Sequence, residues 1–120
     1  MCAGGSSCDI ICGTFPRCEP TCTGVDQCNA VCRDDCTGKC TGGKTCTFQC
    51  NNNCTYDCSG SEECVVNAGD GSNIDCSGTG TCKVTCAGTC KITGCSGQGC
   101  EVRCQTSDGS TQDGTPGGCS

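Results

Sequence analysis

Between Cys40 and Cys58 the chain reads CTGGKTCTFQCNNNCTYDC. This stretch holds two copies of Cys-x-apolar-x-Cys, Cys46–Cys50 and Cys54–Cys58, joined by a short polar turn. Side chains alternate across a strand, so the first, third and fifth positions of each copy share one face. The inward set is then Cys, apolar, Cys, and the outward set is mostly polar. Along the chain the apolar slots hold Ile10, Pro20, Ala30, Gly38, Phe48, Tyr56, Val66, Ile74, Val84, Ile92 and Val102. Most are β-branched or aromatic, which suits strands. Pro20 and Gly38 weaken the two strands that would contain them. No stretch carries the i, i+3, i+4 apolar spacing of a helix, and Gly interrupts every few residues, so no helix is predicted.

The phrase recurs at a fixed step. First strands begin at Cys28, Cys46, Cys64, Cys82 and Cys100, and second strands at Cys18, Cys36, Cys54, Ser72 and Cys90, each series spaced by 18 residues. Self-similarity of this period marks a solenoid, whose stacked units share one core. The expected fold is all-β: a flattened, disulfide-laddered β-solenoid of about 18 residues per coil over residues 1–104. Residues 105–120 are Gly-, Ser- and Thr-rich and read as a tail or cap. The longer turns carry Thr-Gly or Ser-Gly (Gly24, Gly42, Gly60, Gly78, Gly97), where Gly supplies a positive φ. The shorter turns, such as Arg33-Asp34-Asp35 and Asn51-Asn52-Asn53, are rich in residues that tolerate left-handed backbone. The Cys90–Cys95 phrase has one extra residue, read as a Gly94 bulge, and the first coil has a longer turn containing Pro16.

Composition explains what closes such a tube. The 120 residues include 22 Cys and 20 Gly but no Trp, no His and only three Phe or Tyr, too few large side chains for an ordinary core. Cysteine well above about 10% of a short chain signals a disulfide scaffold in an oxidising compartment. Connectivity is hinted at by an absence. Where the repeat demands Cys at 68 and 72 the chain has Ala68 and Ser72, which flank one short turn. A joint loss is what a shared bond predicts, so Cys32–Cys36, Cys50–Cys54 and Cys86–Cys90 are expected to be bonded. Closing the other turns alike gives Cys2–Cys8, Cys12–Cys18, Cys22–Cys28, Cys40–Cys46, Cys58–Cys64, Cys76–Cys82, Cys95–Cys100 and Cys104–Cys119. This consecutive scheme uses every cysteine. Bonding across each coil (Cys28–Cys40, Cys46–Cys58) strands four.

Charge and spacing then exclude or demote several chemistries. A net charge of −6 argues against nucleic acid and anionic membrane surfaces, and no apolar run is long enough to span a bilayer. The opening MCAGGSSCDII lacks the basic and apolar regions of an export signal, so the chain reads as a mature or expressed portion of a secreted or cell-surface protein. Metal–thiolate storage is an outsider, because Cys-x-Cys, Cys-x-x-Cys and His are all missing; no metal or cofactor is expected. With no His to act as base, a nucleophilic Cys is not expected, and the chain reads as a non-enzyme. Asp34-Asp35 and Glu62-Glu63 read as solvated turn charges. The polar run Asn67–Asp75 reads as an Asx-type turn ahead of a calcium loop. Asn53-Cys54-Thr55 fits a glycosylation sequon whose middle residue is expected to be bonded.

The steps Thr21-Cys22-Thr23 and Thr45-Cys46-Thr47 make the chain resemble the disulfide-threaded β-solenoid antifreeze proteins of beetles. That resemblance implies outward Thr ranks engaging ice. Here the ranks are broken: Asp9, Asn29, Thr47, Val65, Lys83, Glu101 and Ile11, Val31, Gln49, Asn67, Thr85, Arg103 on one face, Glu19, Thr37, Thr55, Asn73, Lys91 and Thr21, Lys39, Asp57, Asp75, Thr93 on the other. A hydroxyl row (Thr23, Thr41, Ser59, Ser77, Ser96) remains along one edge. The phrases CSGTGTC and CTGGKTC also resemble Cys/Gly/Ser/Thr repeats of secreted and surface-displayed microbial proteins, which implies a rigid spacer or display module. The expected function is a non-catalytic extracellular structural or binding scaffold, with ice binding as the alternative. The partner is not identified by the sequence; end-to-end self-association is expected because the first and last coils leave strand edges open.

Overall fold

In the computed structural model the alternating phrases become two parallel sheets. The structure describes residues 2–12, 18–59, 62–76, 80–94, 99–105, 110–113 and 118–119. One sheet is built from β1 (Cys2–Ala3), β3 (Thr21–Thr23), β5 (Thr37–Thr41), β7 (Thr55–Ser59), β9 (Ser72–Asp75), β11 (Cys90–Thr93) and β14 (Gly118–Cys119). The other is built from β2 (Ser7–Ile11), β4 (Gln27–Val31), β6 (Thr45–Gln49), β8 (Glu63–Gly69), β10 (Thr81–Ala87), β12 (Cys100–Gln105) and β13 (Thr111–Asp113). The regular elements are strands throughout the described residues. From β1 to β12 the chain alternates between the two sheets, giving a β-solenoid of about five turns and about 18 residues per turn.

Register follows the repeat. Ile10, Ala30, Phe48, Val66, Val84 and Val102 form one inward row. Gly38, Tyr56, Ile74 and Ile92 form the row opposite. Burial alternates with the pleat, as in β4 (Gln27–Val31), whose inward Cys28 and Ala30 are each 2% exposed. The turns stack as well: the Gly24 amide donates to the Thr41 carbonyl at 2.8 Å, and the Asn51 amide to the Arg33 carbonyl at 2.9 Å. Gly24 and Gly42 have the left-handed φ expected of the longer turns, 67° and 68°. Asp35 (58°), Asn53 (57°) and Gly71 (78°) take it at matching places in the shorter ones. Gly60, Gly78 and Gly97 lie outside the described residues, as does Pro16.

Disulfides close the turns in consecutive order. Cys22–Cys28, Cys40–Cys46, Cys58–Cys64 and Cys76–Cys82 span the longer turns, with Cα separations of 6.2–6.5 Å. Cys12–Cys18, Cys50–Cys54 and Cys86–Cys90 span the opposite edge, at 5.9–6.4 Å. Cys8, Cys100 and Cys104 are also disulfide-bonded. The expected bonds Cys2–Cys8, Cys95–Cys100 and Cys104–Cys119 involve the side chains of Cys2, Cys95 and Cys119, which lie outside the described part. One expected bond is not made. Cys32 and Cys36 are free, buried thiols, and the Cys32 sulfur also lies 3.4 Å from Cys12 Sγ in the neighbouring coil.

Three further expectations need correcting. Pro20 lies before β3, which starts at Thr21: the ring removes a ladder donor, although the Pro20 carbonyl still accepts from the Lys39 amide at 2.9 Å. The last coil is not the outermost layer, and the strand edges at that end belong to β13 and β14. β13 pairs antiparallel with β12, and β14 with β11, so part of the expected tail adds a strand to each sheet. The tail boundary at 104/105 therefore falls inside β12.

The core also resolves a packing mismatch, since Ala30 with Gly38 is too small a pair and Phe48 with Tyr56 too large for coils of one width. Phe48 and Tyr56 stack, with ring centroids 4.0 Å apart and planes 14° from parallel. Both rings lean over the neighbouring coil at Gly38. A Cβ built there would stand 2.5 Å from Tyr56 Cδ1 and 2.8 Å from Phe48 Cε1. Gly38 is thus the vacancy into which the next coil's aromatics expand. Gly38→Ala should destabilise the fold by about 1–3 kcal/mol, and adding Tyr56→Val should recover much of that loss. Denaturant unfolding of the single and double variants checks this; additive costs would contradict the shared space.

Candidate functional site

What the fold offers a partner is two flat outer faces and two edges of stacked turns. On the face of the sheet containing β4, the register aligns Asp9, Asn29, Thr47, Val65, Lys83 and Glu101, and beside them Ile11, Val31, Gln49, Asn67, Thr85 and Arg103. Asn29 Nδ2 donates to Asp9 Oδ1 at 2.9 Å, and Arg103 pairs with Glu101 at 2.8 Å. Both contacts are exposed and contribute little to stability. A further row, Ser7, Gln27, Thr45, Glu63 and Thr81, lies at the residue before each cysteine and escaped the five-residue phrase. The opposite face aligns Thr37, Thr55, Asn73 and Lys91 beside Thr21, Lys39, Asp57, Asp75 and Thr93. Thr23, Thr41 and Ser59 are consecutive partners along one edge; Ser77 and Ser96 lie outside the described residues.

The other edge carries a side-chain ladder. Asp34 Oδ1 accepts the Asn52 amide at 3.1 Å, Asn52 Oδ1 accepts the Asp70 amide at 3.1 Å, and Asp70 Oδ1 accepts the Thr89 amide at 2.7 Å. These oxygens join each turn to the next, which is what short polar side chains do in place of a backbone partner. Asp34, read as a solvated charge, and Asp70, within the polar run, are therefore structural acceptors. Ser72 stands where the repeat lacks Cys, is 1% exposed, and its Oγ accepts the Cys54 amide at 3.3 Å. In the sequon, Asn53 is exposed and Cys54 is bonded to Cys50.

Two buried groups have displaced acidities. Burial, with the Asp57 carboxylate adding to it, pushes the Tyr56 phenol above its ordinary range, and its hydroxyl has no hydrogen-bond partner among the described residues. Burial, followed by the hydrogen bond and charge of Cys36, pushes the Cys32 thiol up to about 12. The Sγ atoms of Cys12, Cys32 and Cys36 lie within 4.8 Å of one another. Sequence reasoning missed this cluster because it searched for neighbours along the chain, whereas stacking brings residues one coil apart together. The signal was the repeat itself, which puts Cys12 and Cys32 at equivalent places.

No protein-family model matches the chain, and neither a curated protein nor a solved structure matches it. The disulfide-rich β-solenoid fold is present, and no family or homologue supports the beetle antifreeze type. Many disulfides fit an oxidising environment.

Two thiols in a closed interior should react late. Iodoacetamide should label Cys32 and Cys36 slowly in the native chain and promptly in denaturant, with Cys32 labelling climbing only as pH approaches about 12. The sign for stability follows: the raised Cys32 pKa supports the fold fully below pH 9.0, and that support is lost as pH rises toward about 12. Mass mapping of the labelled peptides checks both thiols, and prompt native labelling at neutral pH would contradict their burial.

Proposed function

We propose that the chain is a non-catalytic, extracellular structural or binding scaffold, a rigid module whose shape is held by covalent closure of each coil. The observation that carries this reading is the run of disulfides at both edges of two in-register sheets. Closing loops this short stabilises by about 2 kcal/mol each on a chain-entropy treatment. A tube this narrow has one apolar residue per strand inside, so cross-links carry what a larger core would supply. The outer faces mix Asp, Lys, Glu, Arg, Asn and Thr, chemistry suited to polar contacts spread over a flat surface. Within this reading, end-to-end association can use the edges of β1 and β2 at the first coil or those of the short strands β14 and β13 at the far end. Ile11, 76% exposed, and Val31, 41% exposed, stand beside that first edge.

One specific observation favours the ice-binding alternative: Thr23, Thr41 and Ser59 are register partners, as are Thr37 and Thr55. Against it, each sheet face interrupts its hydroxyls with charge, so no extended regular array is presented.

Two measurements separate these readings. Intact protein should resist trypsin and chymotrypsin and show no thermal hysteresis at millimolar concentration. After full reduction and alkylation it should lose its β-type circular dichroism and be digested. A reduced chain that stayed folded and resistant would overturn the scaffold reading, and hysteresis in the intact protein would replace it with the alternative.

A further inference from the structure

Along the short-turn edge, the structure leaves one coil with two thiols and no bond between them. We propose that Cys32 and Cys36 form a two-sulfur site for a soft monovalent cation, with cuprous ion as the biological member of that class. Both thiols are buried, 4% and 1% exposed, and their sulfurs lie within 4.8 Å of each other and of Cys12 Sγ. Thiolate sulfur selects soft ions, cuprous copper foremost. Zinc is a poorer fit, because it takes four nitrogen, sulfur or carboxylate ligands. The chain has no His, and the third sulfur here is already committed to Cys18. A cuprous ion needs only the two thiols present.

Charge supports the same choice. Two bare thiolates in this interior would be costly, whereas two thiolates holding one monovalent cation carry a single net charge. The turn between the two cysteines, Arg33-Asp34-Asp35, is exposed and carries two carboxylates and one guanidinium. The step balances without a change of oxidation state. Two S–H bonds break, two sulfur–copper bonds form, and two protons leave to solvent. Cys12 Sγ, 3.4 Å from the Cys32 sulfur, stays in its disulfide and lines the third side. The site is a single discrete one, unlike the storage cluster that the spacing argued against, and it leaves the scaffold reading intact.

The test uses the chain as purified, titrated under nitrogen with cuprous ion supplied as its bicinchoninate complex. The expected result is one copper retained per chain after gel filtration, with alkylation of Cys32 and Cys36 in denaturant suppressed about tenfold or more by the bound ion. Cys32→Ser and Cys36→Ser should each abolish retention while circular dichroism and the remaining disulfides persist. Should either variant fail to fold, protection from alkylation in the unsubstituted chain decides alone. The proposal is overturned by no retention, by retention without protection of these two thiols, or by peptide mapping that finds Cys32 and Cys36 already bonded to each other.

Discussion

Covalent closure along the two edges of the stack is the constraint from which the rest of this structure follows. With Cα separations held at 5.9–6.5 Å by the bridges, the chain must reverse within a fixed width, and the two sheets cannot drift apart. Parallel sheets ordinarily require burial on both faces, supplied by packed helices. Here one face of each sheet is covered by the other sheet, and bridges supply what an outer layer would have contributed. The outward faces are then free to vary. That freedom is visible in rows that run Asp9, Asn29, Thr47, Val65, Lys83, Glu101 without a chemical theme.

Much of this was legible because a solenoid repeats its register in its sequence. The step of 18 between Cys28 and Cys46 is the step between neighbouring strands, and the alternation within Cys-x-apolar-x-Cys is the pleat. Three things were not legible, each for its own reason. The tail's β13 and β14 carry no repeat phrase; their pairing depends on an open edge above the last coil, a tertiary condition. The Asp34–Asn52–Asp70 ladder hides in turns whose composition fits any polar loop. The grouping of Cys32 with both Cys36 and Cys12 comes from stacking between coils, on which spacing along the chain is silent.

Gly38 shows how a uniform width tolerates uneven side chains. Read coil by coil, Ala30 with Gly38 leaves a void, and Phe48 with Tyr56 overfills its layer. Read along the stack, the two errors cancel, because the rings pack into the space that Gly38 vacates. Volume is conserved over a pair of coils rather than within each one, as close packing of interiors requires. The Tyr56 hydroxyl, which has no hydrogen-bond partner among the described residues, is what this fit leaves over, and shape sets the ring's place there.

The coils without a short-edge bridge bear on how much each bridge matters. At Ala68 and Ser72 the bond is replaced by a small apolar residue and a buried hydroxyl that accepts the Cys54 amide, so that edge remains packed and its polar group satisfied. At Cys32 and Cys36 the sulfurs remain but the bond does not, and Cys32 instead contacts the neighbouring coil's bridge. Neither gap interrupts the backbone ladder, which runs from Thr37 to Thr55 to Asn73 on one side and from Val31 to Gln49 to Asn67 on the other. Stacking thus transmits order past a missing link, because each coil is templated by two neighbours. The bridges act on the unfolded ensemble of the chain as a whole, while the ladder and the turn oxygens fix each coil locally. That division is why a single bond can be dispensed with while the stack keeps its register.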